Sequence, residues 1–338
     1  MKKQIWDFLY RYFPNHGHHL VPSATLYDWQ KDPSKGRGEA RLDGPEENDN
    51  RLRPDNPELQ VLKERYAAFD KKATTPLFWS AEHITKDDMR NFRGSDIYVS
   101  QDCGLNYGLM AMGLTYYQIR ANDHLGLLDK LGEDPDFAAR LFEIDGRTVS
   151  RDLLDSTTEI NFLDREFGLT SMNSFSMLDI GAGYGRLAHR MAQAMPNLRT
   201  YVCTDAVPES TFFCRHYVEH RGVQDKVGVI QLDEIERTLD ATPIDLAVNI
   251  HSFSECSIDA ISWWVALLAR HKVPRLMIAP NQKFDGGQTL SVDDGHEFLS
   301  IVQSHGYRLE KVSPKYNDPF VMRYGLDPGY FHVFTLGK

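Results

Sequence analysis

The chain has 338 residues, of which 41% are apolar and 25% are charged, and its formal net charge is −10. This length accommodates two ordinary domains or one domain with a large addition, and the composition predicts a globular fold with a normal apolar core. The acidic balance and the lack of a long basic cluster argue against a protein that grips nucleic-acid phosphates, and no apolar run approaches the roughly 18 residues of a membrane span.

The first half of the chain is predicted to be mainly helical. Met1–Phe13 has the pattern of an amphipathic surface helix and is a poor signal peptide. Pro57 opens a helix that continues through Phe69. Tyr107–Leu131 indicates one long apolar helix or a pair of helices, and Glu143–Val149 indicates a hairpin. Ser150–Phe167 is a further predicted helix.

From residue 169 onward, predicted strands alternate with helices, which favours a parallel, doubly wound sheet. Ser257 is positioned to cap the helix Ile258–His271, and Ser291-x-x-Asp294 is interpreted as a capping box for a helix that begins at residue 292. No helix is predicted between the last two strands, which is typical of an antiparallel edge. We therefore predict an α/β fold with a mostly parallel seven-stranded sheet. Its predicted strands are Met177–Ile180, Thr200–Thr204, Lys226–Leu232, Ile244–Ile250, Arg275–Pro280, Tyr307–Val312 and Tyr330–Leu336.

The most informative motif follows the first of these strands. It reads Asp179-x-Gly181-x-Gly183-x-Gly185 and leads directly into a predicted helix. Glycines at this spacing let the backbone turn tightly at the end of a strand and approach a ligand closely. The second strand ends in Asp205, whose carboxylate can accept hydrogen bonds from both hydroxyls of a ribose. The pair predicts an adenosine-containing cofactor.

The glycine loop differs from the dinucleotide fingerprint G-x-G-x-x-G, in which a helix N-terminus receives a pyrophosphate. It resembles motif I of the class I S-adenosylmethionine (SAM) dependent methyltransferases, which implies SAM as the cofactor and a Rossmann-like methyltransferase sheet. Together with Asp205–Ser210 and Asn249–Glu255, the stretch Leu178–Leu187 looks like the sugar O-methyltransferases of bacterial natural-product and surface-glycan gene clusters. The resemblance to the class I methyltransferases covers roughly residues 170–338, and that to the sugar O-methyltransferases rests on these short motifs.

The resemblance implies a set of cofactor-binding residues. Gly181, Gly183 and Gly185 would line the methionine portion, and Asp205 would hold the ribose. Tyr184 would either cover the cofactor or pack on the following helix, and Asp179 more often supports the loop than touches the ligand. Leu232 or Asp233 would border the adenine. The remaining members of the predicted set are Ala182, Ala206 and Asn249.

The loop after the fourth strand carries the candidate catalytic residues. An alcohol is a weak nucleophile at neutral pH, so methyl transfer to a hydroxyl calls for a positioned base or a metal. His251 is the preferred general base, and Glu255 would orient it or bind substrate. Alternatively, His251 hydrogen-bonds the sheet edge and Glu255 caps the next helix.

A metal-free site is favoured, although Mg²⁺ remains possible. Asn249 and Asn281, with Asp285, Asp293 and Asp294 nearby, give only a broken version of the oxygen-ligand pattern of catechol-type enzymes. The run His16–His19 is interpreted as a surface loop.

The cysteines have no metal-like spacing, which favours free thiols and a cytoplasmic location. They are Cys103, Cys203, Cys214 and Cys256.

The resemblance to methyltransferases implies that residues 1–168 form an N-terminal arm and a mainly helical cap over the substrate, ahead of a SAM-binding catalytic domain at 169–338. A dimerisation arm is the alternative, and a homo-oligomer is possible. The expected substrate is a sugar, a nucleotide sugar or a glycosylated metabolite; the alternatives are an amine, phenol or peptide-like acceptor, and a non-catalytic SAM-binding scaffold. Neither a nucleic acid nor a membrane is expected as a partner. Aromatic candidates for a sugar platform, most of them expected in the core, are Phe78, Trp79, Phe92, Tyr98, Tyr107, Tyr116 and Tyr117.

Overall fold

The computed structural model describes residues 2–13, 20, 39–40, 51–69, 72, 82, 84–98 and 108–337. The helices in this part of the chain are α1 (Lys2–Tyr12), α2 (Pro57–Ala67), α3 (Asp88–Asn91), α4 (Gly108–Asn122), α5 (Leu127–Lys130), α6 (Arg151–Phe167), α7 (Arg186–Ala194), α8 (Pro208–His220), α9 (Ile235–Ala241), α10 (Ile258–Arg270), α11 (Leu299–Ser304) and α12 (Pro319–Tyr324). The strands are β1 (Glu39–Ala40), β2 (Arg140–Ile144), β3 (Arg147–Val149), β4 (Phe175–Ile180), β5 (Leu198–Thr204), β6 (Val227–Val229), β7 (Leu246–Ile250), β8 (Arg275–Ala279), β9 (Tyr307–Pro314) and β10 (Tyr330–Leu336).

The chain divides into two compact units, and neither is continuous in sequence. One contains Met1–Asn50, Arg90–Gly168 and Lys315–Pro328; the other contains Arg51–Met89, Leu169–Pro314 and Gly329–Lys338. The sequence-based division at residue 168 coincides with one of these boundaries. Each half of the chain nevertheless contributes a segment to the other unit, because α2 packs against α8 and because residues 315–328 join α4 and α6. The assignment of the two halves as cap and catalytic domain stays a prediction.

The larger unit is built around a seven-stranded sheet with the order β6-β5-β4-β7-β8-β10-β9. The strands from β4 to β8 pair in parallel, whereas β10 is antiparallel to both of its neighbours. Central β4 is buried at every residue, as expected for a strand covered on both faces. The predicted α/β, doubly wound, mostly parallel seven-stranded sheet is confirmed, and its strand order reverses between β4 and β7, where ligands bind in such folds.

The predicted capping box at residues 291–294 is wrong. Ser291 forms an antiparallel bridge with Glu297, and the turn between them places Gly295 at φ +94°. Asp294 accepts hydrogen bonds from the backbone N–H of His296 instead of capping a helix. Because this small hairpin uses the backbone groups that a first helical turn would need, the helix begins only with α11.

Two helices within residues 169–338 were not predicted. The short helix α12 follows β9, and Asp318 caps it by accepting hydrogen bonds from the backbone N–H groups of Phe320 and Val321. Helix α9 lies between β6 and β7. The pairing of β9 with β10 is unaffected, so the antiparallel edge was predicted correctly although its connection contains a helix.

The smaller unit contains the predicted hairpin and the helices α4 and α6. Strands β2 and β3 pair through a turn in which Asp145 and Gly146 both have positive φ angles, +58° and +72°. Ser150 caps α6 by accepting from the Leu153 N–H at 3.1 Å, and Gly168 ends that helix at φ +65°. Local sequence signals therefore set both ends of this helix.

Three of the four aromatic candidates for a sugar platform that the structure describes are core residues. Phe92, Tyr116 and Tyr117 are buried, and Tyr98 is half-buried. Phe78, Trp79 and Tyr107 lie outside the described residues, as do the run His16–His19 and Cys103.

Candidate active site

The glycine loop leaves the carboxyl end of β4, beside the point where the strand order reverses. Gly181, Gly183 and Gly185 have φ angles of +74°, +55° and +88°, a region that favours glycine. The backbone N–H groups of Gly181 and Ala182 donate to the Thr204 carbonyl at 2.9 and 3.1 Å. These bonds tie the loop to the end of β5.

Two of the three glycines are needed by the packing of the protein itself. A Cβ atom at Gly181 would lie 2.1 Å from Ser252 Oγ, and one at Gly185 would lie 2.9 Å from Cys214 Sγ. Both distances are too short for nonbonded atoms. The sequence explained all three glycines by the close approach of a ligand, and the structure shows that neighbouring side chains require Gly181 and Gly185.

Asp205 is buried and fixed beside this loop. Its Oδ2 accepts from the Gly183 N–H at 3.0 Å, and its Oδ1 accepts from the Val207 N–H at 2.9 Å. An ionised carboxylate has about four lone-pair sites, so each oxygen can accept a further hydrogen bond. The carboxylate therefore keeps acceptor capacity on both oxygens, and its predicted contact with two ribose hydroxyls stays a prediction.

The electrostatics of this edge of the sheet are dominated by carboxylates. Burial raises the pKa of Asp205 to about 7; the hydrogen bonds from Val207 and Gly183 oppose that rise, and the negative charges of Asp179 and Glu255 add to it. Asp179 is itself buried, and its Oδ2 accepts a hydrogen bond from the Tyr201 hydroxyl at 2.8 Å. Positive charge on a ligand would be stabilised here and negative charge opposed.

Asn249 ties β4 to β7 below the glycine loop. Its Nδ2 donates to the Ile180 carbonyl at 2.9 Å and to Ser252 Oγ at 2.5 Å, and its Oδ1 accepts from the Phe253 N–H at 3.0 Å. The side chain is completely buried. These bonds engage both polar atoms of the amide, so its geometry indicates a supporting position; its predicted contact with the cofactor stays a prediction.

His251 and Glu255 lie in one loop at the carboxyl ends of β7 and β8. His251 is half-buried and has φ +66° and ψ −39°, which strains a residue that has a side chain. Its backbone N–H donates to the Ala279 carbonyl at 2.7 Å. Glu255 accepts a hydrogen bond from Asn281 Nδ2 at 3.2 Å. Both predicted catalytic residues thus lie at the carboxyl ends of β7 and β8, and their roles stay predictions.

The predicted adenine-bordering residues contact a helix from the first half of the chain. The Leu232 N–H donates to the Tyr66 hydroxyl at 3.1 Å, and that hydroxyl also hydrogen-bonds Thr211 Oγ1 at 2.8 Å. The carboxylate of Asp233 is held by Arg65 at 2.6 and 2.8 Å. Sequence reasoning missed Tyr66 and Arg65 because helical spacing predicted α2 but gave no partner for it.

Tyr184 and Ala206 complete the predicted set. Tyr184 is buried and packs edge to face on Tyr217 of α8, with ring centroids 5.2 Å apart. This contact is with α8, whereas the sequence suggested the helix that directly follows the loop, and a role for Tyr184 in covering the cofactor stays a prediction. Ala206 is half-buried and directly follows Asp205.

Two of the three acidic residues considered for metal binding, Asp285 and Asp294, have carboxylates engaged in other contacts. Asp294 Oδ1 contacts His296 Nδ1 at 2.8 Å, and Asp285 Oδ1 accepts from the Gly287 N–H at 3.0 Å. In the described part of the chain, no three or more His, Cys, Asp or Glu side chains come together as metal ligands.

None of the helices among the same residues has the length and apolar character needed to span a membrane.

No protein-family model matches the sequence. No curated protein matches it either. Among solved structures, the [4+2]-cyclase SpnF aligns with a TM-score of 0.40 and 16% identity over 58% of this chain and 86% of its own. A SAM-dependent methyltransferase from Aquifex aeolicus aligns with a TM-score of 0.38 and 15% identity, over 52% of this chain and 89% of its own. Magnesium protoporphyrin IX methyltransferase from Synechocystis, with bound SAM, aligns with a TM-score of 0.39 and 11% identity, over 55% and 83%. At these TM-scores, the fold assignment rests on the strand order described above.

Proposed function

We propose that this protein is a SAM-dependent methyltransferase that methylates a hydroxyl group of a sugar or of a glycosylated natural product. The observation that carries the proposal is the Asp205 carboxylate, which lies beside the glycine loop and keeps hydrogen-bonding capacity on both oxygens. It stands at the carboxyl edge of a sheet whose order reverses there, which is where doubly wound folds bind nucleotides.

The charge of the site favours SAM over a dinucleotide. Asp179 and Glu255 both add to the rise in the pKa of Asp205, so this edge already carries an excess of negative charge. A pyrophosphate would add two negative charges, whereas SAM carries a sulfonium, an ammonium and one carboxylate and is a net cation. The residues present therefore fit SAM. Gly181, Gly183 and Asp205 would hold it, and it would supply an electrophilic methyl group.

The residues of the chain would then position the acceptor and remove its proton. His251 is held by its backbone at the end of β8, and an imidazole nitrogen can take the proton of an acceptor hydroxyl. Glu255, held by Asn281, would bind a further hydroxyl of the acceptor. The resemblance of residues 249–255 to sugar O-methyltransferases supports a sugar as the acceptor. We also propose a cytoplasmic location and no nucleic-acid partner.

Calorimetric titration with SAM and with S-adenosylhomocysteine tests the cofactor assignment. We expect dissociation constants in the range of about 1–100 μM, with NAD as a non-binding control ligand. Parallel titrations with Mg²⁺ and with EDTA test metal dependence. No binding of either ligand would refute the enzyme assignment.

Gly183 is the loop glycine whose backbone N–H donates to Asp205. A variant at this position distinguishes a loss of cofactor binding from a loss of the fold. Gly183→Val adds a branched side chain at φ +55°, where the cofactor would approach. We expect SAM binding to be lost while the circular dichroism spectrum is kept. Retained affinity in a folded variant would contradict the assignment of the loop.

Screening of acceptors comes after cofactor binding is established. Nucleotide sugars and glycosylated natural products are the expected substrates, and amines are the comparison. An amine acceptor needs less assistance from a base. Turnover that does not depend on His251 would therefore favour the amine alternative.

A further inference from the structure

The smaller unit carries most of the large apolar side chains that are exposed in the described part of the chain. Nine such side chains are exposed there, and six of them lie on two helices of this unit, α1 and α12. Both helices pack against α4. Single exposed apolar residues are normal on a protein surface, whereas their concentration on two helices indicates a contact surface. The six are Ile5, Trp6, Phe8, Tyr12, Phe320 and Tyr324.

Helix α1 presents an apolar stripe at the surface. Ile5, Phe8 and Tyr12 follow one another at intervals of three and four residues, which places them on one side of the helix. They are 54%, 61% and 46% exposed, and the rings of Phe8 and Tyr12 stack with their centroids 5.7 Å apart. The sequence predicted an amphipathic surface helix here, and the structure leaves this apolar stripe accessible.

Helix α12 has one buried side and one exposed side. Val321 is completely buried and packs in one cluster with Leu114 of α4. Phe320 and Tyr324, four residues apart, are 48% and 39% exposed, and their ring centroids lie 4.7 Å apart. Arg323 is also exposed, with its guanidinium 5.3 Å from the centroid of the Tyr324 ring. The exposed side of α12 therefore combines two aromatic rings with a cation.

The charge of these two helices is opposite to that of the whole chain. The chain has a formal net charge of −10, whereas Arg323 is the one charged residue in the sequence of α12. The sequence of α1 contains a single acidic residue, Asp7, and its basic residues are Lys2, Lys3 and Arg11. Charge complementarity thus favours a negatively charged partner for both helices.

The partner must also accept aromatic and aliphatic side chains. An anionic lipid bilayer offers both properties, because its phosphates attract basic residues and its acyl chains lie just below them. Tryptophan and tyrosine are suited to this boundary, since their rings are apolar and their N–H or O–H groups stay hydrogen-bonded near the headgroups. Acidic residues elsewhere on the protein do not prevent such a contact, because charges more than about 8 Å apart are largely screened at physiological ionic strength.

We propose that α1 and α12 form a peripheral contact surface for an anionic lipid bilayer. The apolar side chains enter the boundary between headgroups and acyl chains, and lipid phosphates attract Arg323 and the net positive charge of α1. A peripheral contact needs no long apolar run, so the sequence did not predict a membrane partner. The inference goes beyond the proposed methyl transfer and does not depend on it, because both helices belong to the smaller unit and carry no residue of the candidate active site.

Flotation of the whole chain with lipid vesicles tests the proposal. We expect the protein to float with vesicles of equimolar phosphatidylcholine and phosphatidylglycerol, with a dissociation constant on the order of 0.1–1 mM lipid. It should not float with vesicles of phosphatidylcholine alone. Raising the salt concentration to about 0.5 M should weaken binding to the anionic vesicles about fivefold or more, because the attraction of the phosphates is screened.

Single substitutions separate the contribution of the rings from that of the charge. Phe8→Ala and Phe320→Ala each remove one exposed ring, and each should weaken binding to the anionic vesicles about fivefold to tenfold. Arg323→Gln should weaken it about fivefold. The controls are Phe284→Ala and Arg308→Gln, the same changes at exposed positions of the larger unit, and both should keep wild-type affinity.

The melting temperatures of these variants show whether each remains folded. All the substituted positions are exposed, so we expect values close to that of the wild type. If Phe8→Ala or Phe320→Ala does not fold, Arg323→Glu and the salt dependence of the wild type decide. Reversal of this charge should weaken binding about 30-fold, and unchanged binding would overturn the proposal.

Four further outcomes would overturn the proposal. They are the absence of flotation with anionic vesicles, equal flotation with phosphatidylcholine alone, wild-type affinity in all three test variants, and a loss in Arg323→Gln with both phenylalanine variants unchanged. A dimer that is detected by analytical ultracentrifugation and lost in Phe8→Ala or Phe320→Ala, without flotation, would identify a second copy of the chain as the partner.

Titration with S-adenosylhomocysteine in the same samples separates this proposal from the methyltransferase assignment. Vesicle binding without cofactor binding supports the contact surface and rejects the methyltransferase. Cofactor binding without vesicle binding does the reverse.

Discussion

The two halves of the carboxyl edge of the large sheet are built differently. At the ends of β4 and β5, Asp179 and Asp205 are buried, and both are held by hydrogen bonds from within the protein. At the ends of β7 and β8, His251 and Glu255 are half-buried, and the backbone of His251 is strained. This difference agrees with the roles proposed above, a cofactor held at the first half and an acceptor at the second.

The two halves of this edge meet at Gly181 and Ser252. We expect the largest loss of stability from a substitution at this contact. In Gly181→Ala, the new Cβ would lie 2.1 Å from Ser252 Oγ, and the residue would keep a φ of +74°. We expect a loss of about 2–5 kcal/mol in the free energy of unfolding, measured by urea denaturation, together with loss of SAM binding. Gly132→Ala is the control, because no heavy atom lies within 4 Å of its added Cβ. The proposed contact would be excluded if adding Ser252→Gly to Gly181→Ala restored none of the stability.

The second comparison separates the imidazole of His251 from its strained backbone. Both His251→Ala and His251→Gly remove the imidazole, but only glycine accepts a φ of +66° without strain. If the imidazole is the base, turnover should fall roughly a hundredfold in both variants, with SAM affinity unchanged. The exposed His296→Ala is the control. A glycine variant that keeps its turnover would show that the backbone is what matters.

The third test measures how the stability of the protein depends on pH through the ionisation of Asp205. The folded-state pKa of Asp205 is about 7, above the ordinary value of 3.8, so its ionisation opposes folding. This penalty is absent below about pH 4, grows between pH 4 and pH 7, and is complete above pH 7. From pH 5 to pH 8, ligand-free wild type should therefore lose roughly 2 kcal/mol relative to Asp205→Asn, measured by thermal unfolding at each pH.

The matched control for this test is Asp225→Asn, at an exposed position. Its stability should follow the wild-type curve at every pH. Cofactor affinity of the wild type should rise with pH through 7, because the ionised Asp205 accepts the ribose hydroxyls better. Parallel stability curves for wild type and Asp205→Asn would contradict the raised pKa.

We expect the smallest loss of stability from a substitution in α2, whose Tyr66 contacts Leu232. Tyr66→Phe removes the hydroxyl that accepts from the Leu232 N–H and leaves that buried donor without this partner. We expect a loss of about 1 kcal/mol in the free energy of unfolding and a weaker affinity for SAM. Tyr324→Phe, at an exposed tyrosine, is the control. Equal stability of the two variants would show that the Tyr66 hydroxyl contributes nothing.

The sequence predicted the sheet well because its signals are local. The apolar strand β4, the loop glycines and the capping Ser257 each specify a short stretch of backbone, and each lies where it was expected. The hairpin at residues 291–297 was missed for a related reason. Its turn residues fit a helix start equally well, and only the tertiary structure decides between the two.

The candidate site was predicted in part. The sequence grouped the glycine loop with Asp205 because both follow neighbouring strands, and their hydrogen bond confirms that they are close. It could not show that Gly181 faces Ser252 or that Tyr66 contacts Leu232, because these pairs are far apart in the chain. Periodicity identifies the buried face of an element but not the element that covers it.

The contacts of α2 with the rest of the larger unit have a consequence for truncated proteins. A fragment that begins at residue 169 would keep every strand of the large sheet and all the sequence motifs. It would nevertheless remove Lys63 from the buried carboxylate of Glu209, which it contacts at 2.7 Å, as well as Tyr66 from the Leu232 N–H. A fragment cut at this position would uncover the face of α8 on which α2 packs, so residues 169–338 should not be expected to fold or to bind a cofactor when expressed alone.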